Sequence, residues 1–235
     1  MKWFILLIKQ VWKGSSHNID EFNLTLSTEL GLNMTLKRTV GILLFNEVEV
    51  LDFAGPFEVF SLAENAASSS DDKHFKVITI AENQATISAR NGLQVIPDYS
   101  FANHPDIDVL IIPGGYGAEK TEIYNKVVID WIITQASLAE LTLSVCTGAL
   151  LLAKAGLLAG KSATTHWMDL DNLASYPDIN VISHTRFVDA SDDTGNIITS
   201  AGISAGIHAS LYCIEKLIDS ETMRATAHRM EFEID

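Results

Sequence analysis

The sequence predicts an α/β fold, a mainly parallel sheet with helices on both faces. Apolar runs of strand length alternate along the chain with longer segments that have helical spacing. Residues 40–45 and 109–112 are apolar at almost every position, which is typical of strands that are covered on both faces. Such alternation favours βαβ units, in which ligands bind at the carboxyl ends of the strands.

The elements follow one another regularly from residue 39 onwards. Strands are predicted at residues 40–45, 74–80, 109–112, 141–145 and 162–165, and near residues 181, 187 and 197. Helices are predicted at residues 52–67, 127–138, 147–155, 169–173 and 206–218, with a last one towards residue 230. Pro56 is tolerated only in the first turn of its helix, and Trp131 is expected on an inner face. The pair Asn91 and Gly92 predicts a hairpin over residues 87–96.

Composition limits the possible functions. The chain has 235 residues, of which 47% are hydrophobic and 20% charged, enough apolar material for an ordinary core. The formal net charge of −14 opposes binding to nucleic acid or to an anionic membrane surface. The two cysteines form no C-x-x-C pair and the histidines show no ligand spacing, so we expect neither a disulfide framework nor a metal. We expect a cytoplasmic protein that acts on a small molecule.

The first 37 residues differ from the rest of the chain. The apolar run at residues 3–8 is too short to cross a bilayer, and no small-residue cleavage site follows it. An added segment is therefore favoured over a signal peptide. We predict an N-terminal extension over residues 1–37 and a single domain over residues 38–235, without repeats or linkers.

Cys146 is the strongest candidate for chemistry. It stands between a predicted strand and a predicted helix, flanked by small residues, in the manner of a nucleophile elbow with Cys in place of Ser. The helix N-terminus is expected to favour the thiolate, which lowers a thiol pKa from about 8.5 to roughly 3.5–7.5. The alternative is a buried, inert cysteine, which is also the simplest interpretation of Cys213.

A glycine-rich turn follows another strand, at residues 113–117. The backbone N–H of Gly115, together with that of Thr147, is a candidate for stabilising an anionic intermediate. Gly114 and Tyr116 are candidates for contact with a substrate. The alternative is a turn without further function.

Asp52 and His166 also follow predicted strands. Asp52 is either a helix N-cap or a carboxyl beside the thiol, where two like charges would raise its pKa and leave it a proton to donate. His166 is either a structural residue or the base that activates Cys146.

These motifs resemble the ThiJ/PfpI superfamily, whose flavodoxin-like fold is related to class I glutamine amidotransferases. The matching segments are residues 51–56, 112–115, 144–149, 163–167, 185–189 and 199–206. Within the superfamily the chain is most similar to isonitrile hydratase and to the amidase-like domain of AraC-type regulators, although no helix-turn-helix segment is evident. Asp52, in Leu-Asp-x-x-Gly-Pro, matches the hydratase-like branch, whereas residues 113–120 depart from the hydratase pattern and leave the substrate open.

The resemblance implies an enzyme that adds water to an isonitrile to give an N-substituted formamide. Cys146 would attack the carbon, Asp52 would supply a proton and then activate water, and the Gly115 and Thr147 amides would stabilise the intermediate. The resemblance implies a homodimer and implies no cofactor. Two alternatives remain: amidase, peptidase or glyoxalase-like chemistry with His166 as base, or a non-catalytic, redox-sensing module in which Cys146 is oxidised.

Overall fold

The structure is a computed structural model that describes residues 37–64 and 73–234. Its strands are β1 (Arg38–Leu43), β2 (Phe75–Ala81), β3 (Ile87–Ser88), β4 (Gln94–Val95), β5 (Tyr99–Ser100), β6 (Val109–Ile112), β7 (Leu141–Val145), β8 (Ser162–Ala163), β9 (Asn180–Val181), β10 (Phe187–Asp189) and β11 (Ile197–Ser200). Its α-helices are α1 (Val50–Leu62), α2 (Tyr116–Lys120), α3 (Lys126–Leu138), α4 (Gly148–Lys154), α5 (Leu170–Ala174), α6 (Ser204–Leu217) and α7 (Ser220–Arg229).

Seven strands form the main sheet, in the order β10-β11-β7-β6-β1-β2-β5. All neighbours in it are parallel except β10, which runs antiparallel to β11. The crossover from β1 through α1 to β2 and the crossover from β6 through α3 to β7 move in opposite directions along the sheet. Because such crossovers are right-handed, α1 and α3 cover opposite faces. The predicted fold class is confirmed.

The central strands are buried along their whole length, which explains their unbroken apolar runs. Every residue of β6 and of β7 is buried. Trp131 on α3 is buried as predicted, and its indole N–H donates to His104 Nε2 at 3.1 Å while its ring stacks on Phe101 with centroids 4.3 Å apart. Packing on both faces therefore fixes the sheet that carries the site.

Helix α1 differs from its prediction at both ends. It begins at Val50 and ends at Leu62, so Pro56 lies in the helix interior, where its missing N–H leaves the Asp52 carbonyl without its usual helical donor. The N-cap position is Glu49, and Asp52 lies in the first turn. The interpretation of Asp52 as an N-cap is therefore wrong, because two residues of the preceding loop continue into the helix.

The predicted hairpin is present but short. Strands β3 and β4 pair antiparallel, with Ile87 opposite Val95, and the backbone turns at Asn91 (φ 60°) and Gly92 (φ 87°). The sequence did not indicate α2 or the edge strand β5, and β8 pairs with β9 in a separate small sheet. The apolar run at residues 3–8 and the end of the predicted helix at residues 65–67 lie outside the described residues.

Candidate active site

Cys146 occupies the turn between β7 and α4, as predicted. Its φ of 56° is uncommon for a residue with a side chain and is typical of a sharp strand-to-helix turn. Its backbone N–H donates to the Ser200 carbonyl at 3.2 Å, and its carbonyl accepts the Thr165 hydroxyl at 2.8 Å. The side chain is buried. Strand β11 and the loop after β8 thus hold the turn in place.

Two glycines allow this turn to pack against the end of β6. A Cβ on Gly148 would stand 2.1 Å from the Ile112 carbonyl oxygen, and one on Gly114 would stand 2.5 Å from the Thr147 nitrogen. Neither contact is possible for real atoms, so the backbones approach this closely only because side chains are absent.

Asp52 is fully buried and is held by two backbone donors from separate loops. The Gly114 N–H donates to one carboxyl oxygen at 3.2 Å, and the Ile203 N–H donates to the other at 3.1 Å. The carboxyl also interacts with the Cys146 thiol, since each of the two groups shifts the pKa of the other. Three segments of the chain therefore place the carboxyl beside the sulfur.

Burial controls the protonation of this pair. Desolvation raises the pKa of Asp52 to about 7, although the Ile203 and Gly114 N–H groups act in the opposite direction. Burial and the negative charge of Asp52 raise the pKa of the Cys146 thiol well above its ordinary value. The predicted low thiol pKa is therefore wrong, because burial and the Asp52 charge outweigh the stabilising N–H of Thr147.

The backbone N–H groups of Gly115 and Thr147, which the sequence indicated as joint donors to an anionic intermediate, have different partners. The Gly115 N–H donates to the Thr147 hydroxyl at 2.9 Å, so it is engaged within the protein. The Thr147 N–H is directed at Cys146, where it favours the thiolate. Gly114 binds Asp52 as described above, whereas Tyr116 is 52% exposed and lines the cavity that opens at the sulfur.

The side chains of His166 and Cys146 both lie beside Gly202. A Cβ built on Gly202 would meet both the imidazole Cδ2 and the Cys146 sulfur, at 2.3 and 3.3 Å. The imidazole Nδ1 accepts the Met168 N–H at 3.4 Å and lies 3.8 Å from the Asp169 carboxylate.

A cavity of about 400 Å³ opens beside the sulfur. Its polar lining includes residues that the sequence did not indicate: Glu49, Arg90, Glu119 and Asp169. Burial raises the pKa of Glu119, and the charge of Asp169 adds to this effect. Asp169 stands three residues after His166, a spacing that is a usable signal, whereas the others depend on the tertiary fold. In residues 37–64 and 73–234, no group of three or more His, Cys, Asp or Glu side chains is placed to hold a metal ion.

Comparison with known proteins identifies the family. The family model described as "DJ-1/PfpI family" matches residues 38–216. The chain belongs to the DJ-1/PfpI family. The curated relatives of this family member include an isonitrile hydratase of Pseudomonas putida, which is 35% identical over 193 residues, covering 82% of this chain and 78% of the hydratase. The HTH-type transcriptional regulator GbdR of Pseudomonas aeruginosa is 25% identical over 197 residues, 83% of this chain and 51% of the regulator.

Solved structures agree with this family assignment. A THiJ/PfpI family protein from Pseudomonas syringae superimposes with a TM-score of 0.70 at 27% identity, covering 87% of this chain and 80% of that one. Drosophila melanogaster DJ-1beta gives a TM-score of 0.71 at 22% identity, over 85% of this chain and all of that one, and supports the fold alone. The predicted family is confirmed. Within the described residues, no helix is long and apolar enough to cross a membrane.

Proposed function

We propose that this DJ-1/PfpI family protein is a cysteine-dependent enzyme that hydrates small isonitriles to N-substituted formamides. The observation that carries the proposal is the buried pair of Asp52 and Cys146, in which a carboxyl with a pKa of about 7 is held by the Gly114 and Ile203 N–H groups beside a protonated thiol. The similarity to an isonitrile hydratase over most of both chains supports it.

In the first step the thiol adds to the isonitrile carbon. The Asp52 carboxylate accepts the thiol proton as the Cys146 sulfur bonds to the carbon, and it then delivers this proton to the same carbon. The product is a thioimidate, R–N=CH–S–Cys. The Thr147 N–H stabilises negative charge on the sulfur before the bond is complete.

In the second step water adds to the thioimidate carbon. Asp52 accepts a proton from this water and returns one to nitrogen. The tetrahedral adduct R–NH–CH(OH)–S–Cys then loses the sulfur, and its hydroxyl proton returns through Asp52 to Cys146. One isonitrile and one water give one formamide, R–NH–CHO. A carboxyl with a pKa near neutrality suits this exchange because both of its protonation states are populated.

The test is to incubate the protein with 1-isocyanobutane and to follow N-butylformamide by NMR. We expect formamide from the native chain and none above background from Cys146→Ala. Cys213→Ala is the matched control, because Cys213 is a fully buried thiol on α6 and removing it should leave turnover in place. Absence of product from the native chain, or undiminished product from Cys146→Ala, would contradict the proposal.

His166 favours one second candidate, a glyoxalase-like activity. Its ring lies beside Gly202 with the Cys146 sulfur, and a base near a thiol suits chemistry on a small carbonyl compound. Conversion of methylglyoxal to lactate that is lost in His166→Ala, without any turnover of isonitriles, would favour this candidate.

We also propose that the protein is a cytoplasmic homodimer. Several large apolar side chains near the cavity mouth are exposed, among them Tyr116, Trp167 and Met168. Size-exclusion chromatography with light scattering should give twice the chain mass of 25.7 kDa, and a mass equal to one chain would exclude the dimer.

A further inference from the structure

A second cavity, of about 350 Å³, adjoins the cavity at Cys146. The two share His166 and Ile203 as lining residues. Gly202 lines the second cavity and lies beside the Cys146 sulfur, since a Cβ built on it would stand 3.3 Å from that atom. The second cavity therefore extends to within a few ångströms of the reacting atom.

The charge of the two cavities differs. The first is lined by three acidic residues, Glu49, Glu119 and Asp169, and by one arginine, Arg90. None of the described residues that line the second is acidic, whereas Arg186 and two histidines, His166 and His184, line it. In a chain with 30 acidic and 16 basic residues, a cavity lined by an arginine and by no described acid favours an anion.

Arg186 is positioned at the second cavity without an acidic partner. Its Nε donates to His208 Nδ1 at 3.1 Å and its Nη2 to the Ser204 hydroxyl at 3.4 Å. No carboxylate among the described residues lies within 4.0 Å of its guanidinium, in contrast to Arg38, which pairs with Glu140 at 2.7 Å. A guanidinium has five N–H donors in a planar fork that matches a carboxylate, so hydrogen bonds to His208 and Ser204 leave it donors to bind one.

The remaining lining suits a short apolar chain. Leu170, Ala201 and Ala205 line the cavity, and Trp167 adds an aromatic surface. Since the two cavities meet at His166 and Ile203, a small molecule that reacts at Cys146 and extends into the second cavity would end near Arg186. We infer that the second cavity binds the carboxylate of the substrate, and that the protein acts on isonitriles that carry a carboxylate on a short aliphatic chain. The part of this inference that makes the substrate an isonitrile rests on the proposed function.

Binding can be measured without turnover. In Cys146→Ala protein, calorimetric titration with 4-methylpentanoate and with the isosteric 4-methylpentanamide should show roughly ten- to hundredfold tighter binding of the acid, the range expected of a charge-assisted hydrogen bond. Adding Arg186→Gln should abolish this preference, and Arg186→Lys should keep part of it. Arg224→Gln is the matched control, because Arg224 is an exposed arginine on α7 that contacts Ser220.

Two results would overturn the subsite. One is equal binding of the acid and the amide. The other is a preference for the acid that is as large in Arg186→Gln as in Arg224→Gln. If Arg186→Gln fails to fold, Arg186→Lys replaces it, and we expect a several-fold weaker preference for the acid because the planar fork is lost. An unchanged preference in that variant would count against the subsite.

Kinetics separate this inference from the proposed function. The native chain should hydrate 3-isocyanopropanoate with a kcat/KM about tenfold above that for 1-isocyanobutane, and Arg186→Gln should remove the difference. If neither isonitrile reacts while the acid still binds through Arg186, the hydratase proposal fails and the subsite stands. If both react equally and the acid does not bind, the subsite fails and the hydratase proposal stands.

Discussion

Asp52 and Cys146 place two acidic groups side by side in the protein interior, and backbone N–H groups approach each of them. The Gly114 and Ile203 amides stabilise the carboxylate, and the Thr147 amide stabilises the thiolate, yet burial outweighs them and raises both pKa values. The resting site therefore holds a neutral thiol beside a carboxyl that titrates near neutrality. Such a pair reacts by moving a proton when the substrate arrives.

The first prediction at this scale concerns the rate. Because Asp52 must be ionised to accept the thiol proton, kcat/KM for an isonitrile should rise with pH to a plateau, with a midpoint near 7. Asp52→Asn should lose this midpoint and lower kcat/KM by about 10²- to 10⁴-fold. The measurement is a pH–rate profile of both proteins between pH 5 and 9, and an unchanged midpoint in the variant would exclude Asp52 as its source.

The second concerns stability. The pKa of folded Asp52 is raised from its ordinary value of 3.8 to about 7, so the folded state binds the extra proton between these values. Stability from this group is full below pH 4 and falls as the pH rises through 7, by about 4 kcal/mol in all. The free energy of unfolding of Asp52→Asn minus that of the native chain, both measured in urea, should therefore rise between pH 5 and 8. A constant difference would contradict this linkage.

The third concerns Ile203, a β-branched residue at φ 57°. Its amide reaches Asp52 only in this strained conformation, which glycine adopts more readily. Ile203→Gly should therefore be more stable than Ile203→Ala by about 1 kcal/mol. Ile133 on α3 is the control, because its side chain is also 41% exposed. A helix favours alanine over glycine, so Ile133→Ala should be more stable than Ile133→Gly by about 1 kcal/mol. Denaturant unfolding of the four variants tests both orders.

At the scale of elements, the site exists because the loops after β1, β6 and β7 meet without side chains between them. We predict that Gly148→Ala lowers the free energy of unfolding by about 3 kcal/mol or more and impairs turnover, since its Cβ would overlap the Ile112 carbonyl. Gly160→Ala is the control: nothing lies within 4 Å of its Cβ, and only its φ of 74° costs stability, about 1 kcal/mol. Equal losses in the two variants would contradict the packing explanation.

The elements that sequence reasoning located are those with simple physical causes. Buried parallel strands require unbroken apolar runs, so β6 and β7 were predictable, and the convergence of strand ends brought Asp52 near Cys146. The start of α1 was not predictable, because Pro56 argued for a later one. The thiol pKa was missed because it depends on burial and on the Asp52 charge, to which distant segments contribute, whereas α4 alone suggested a thiolate.

At the scale of the whole molecule, the charge of −14 sets the electrostatic environment of any small substrate. An anion approaches this protein against its net charge, so a local cation such as Arg186 matters more than it would on a neutral surface. The sheet ends in short strands, two residues in β5 and three in β10, which leaves little edge for pairing with another chain.

The prediction at this scale concerns the domain boundary. Lys37–Asp235 forms one compact unit that contains the described elements and both cavities. We predict that a chain of residues 37–235 unfolds in a single cooperative transition and keeps the kcat/KM of the full chain within about twofold. Calorimetry and the formamide assay test this. Loss of cooperativity or of turnover would show that residues 1–36 are needed by the domain.

Trp131 and Trp167 differ in a way that has an optical consequence. Trp131 is buried against Phe101 and bonded to His104, whereas Trp167 is 74% exposed and lines the second cavity. A chain of residues 37–235 lacks Trp3 and Trp12, so selective excitation of tryptophan would report on these two indoles alone. A ligand that enters beside Trp167 shields it from water and shifts its emission to shorter wavelength, while Trp131 serves as a constant internal reference. The protein thus carries its own spectroscopic signal for occupancy, and unlabelled small molecules can be screened by emission colour alone.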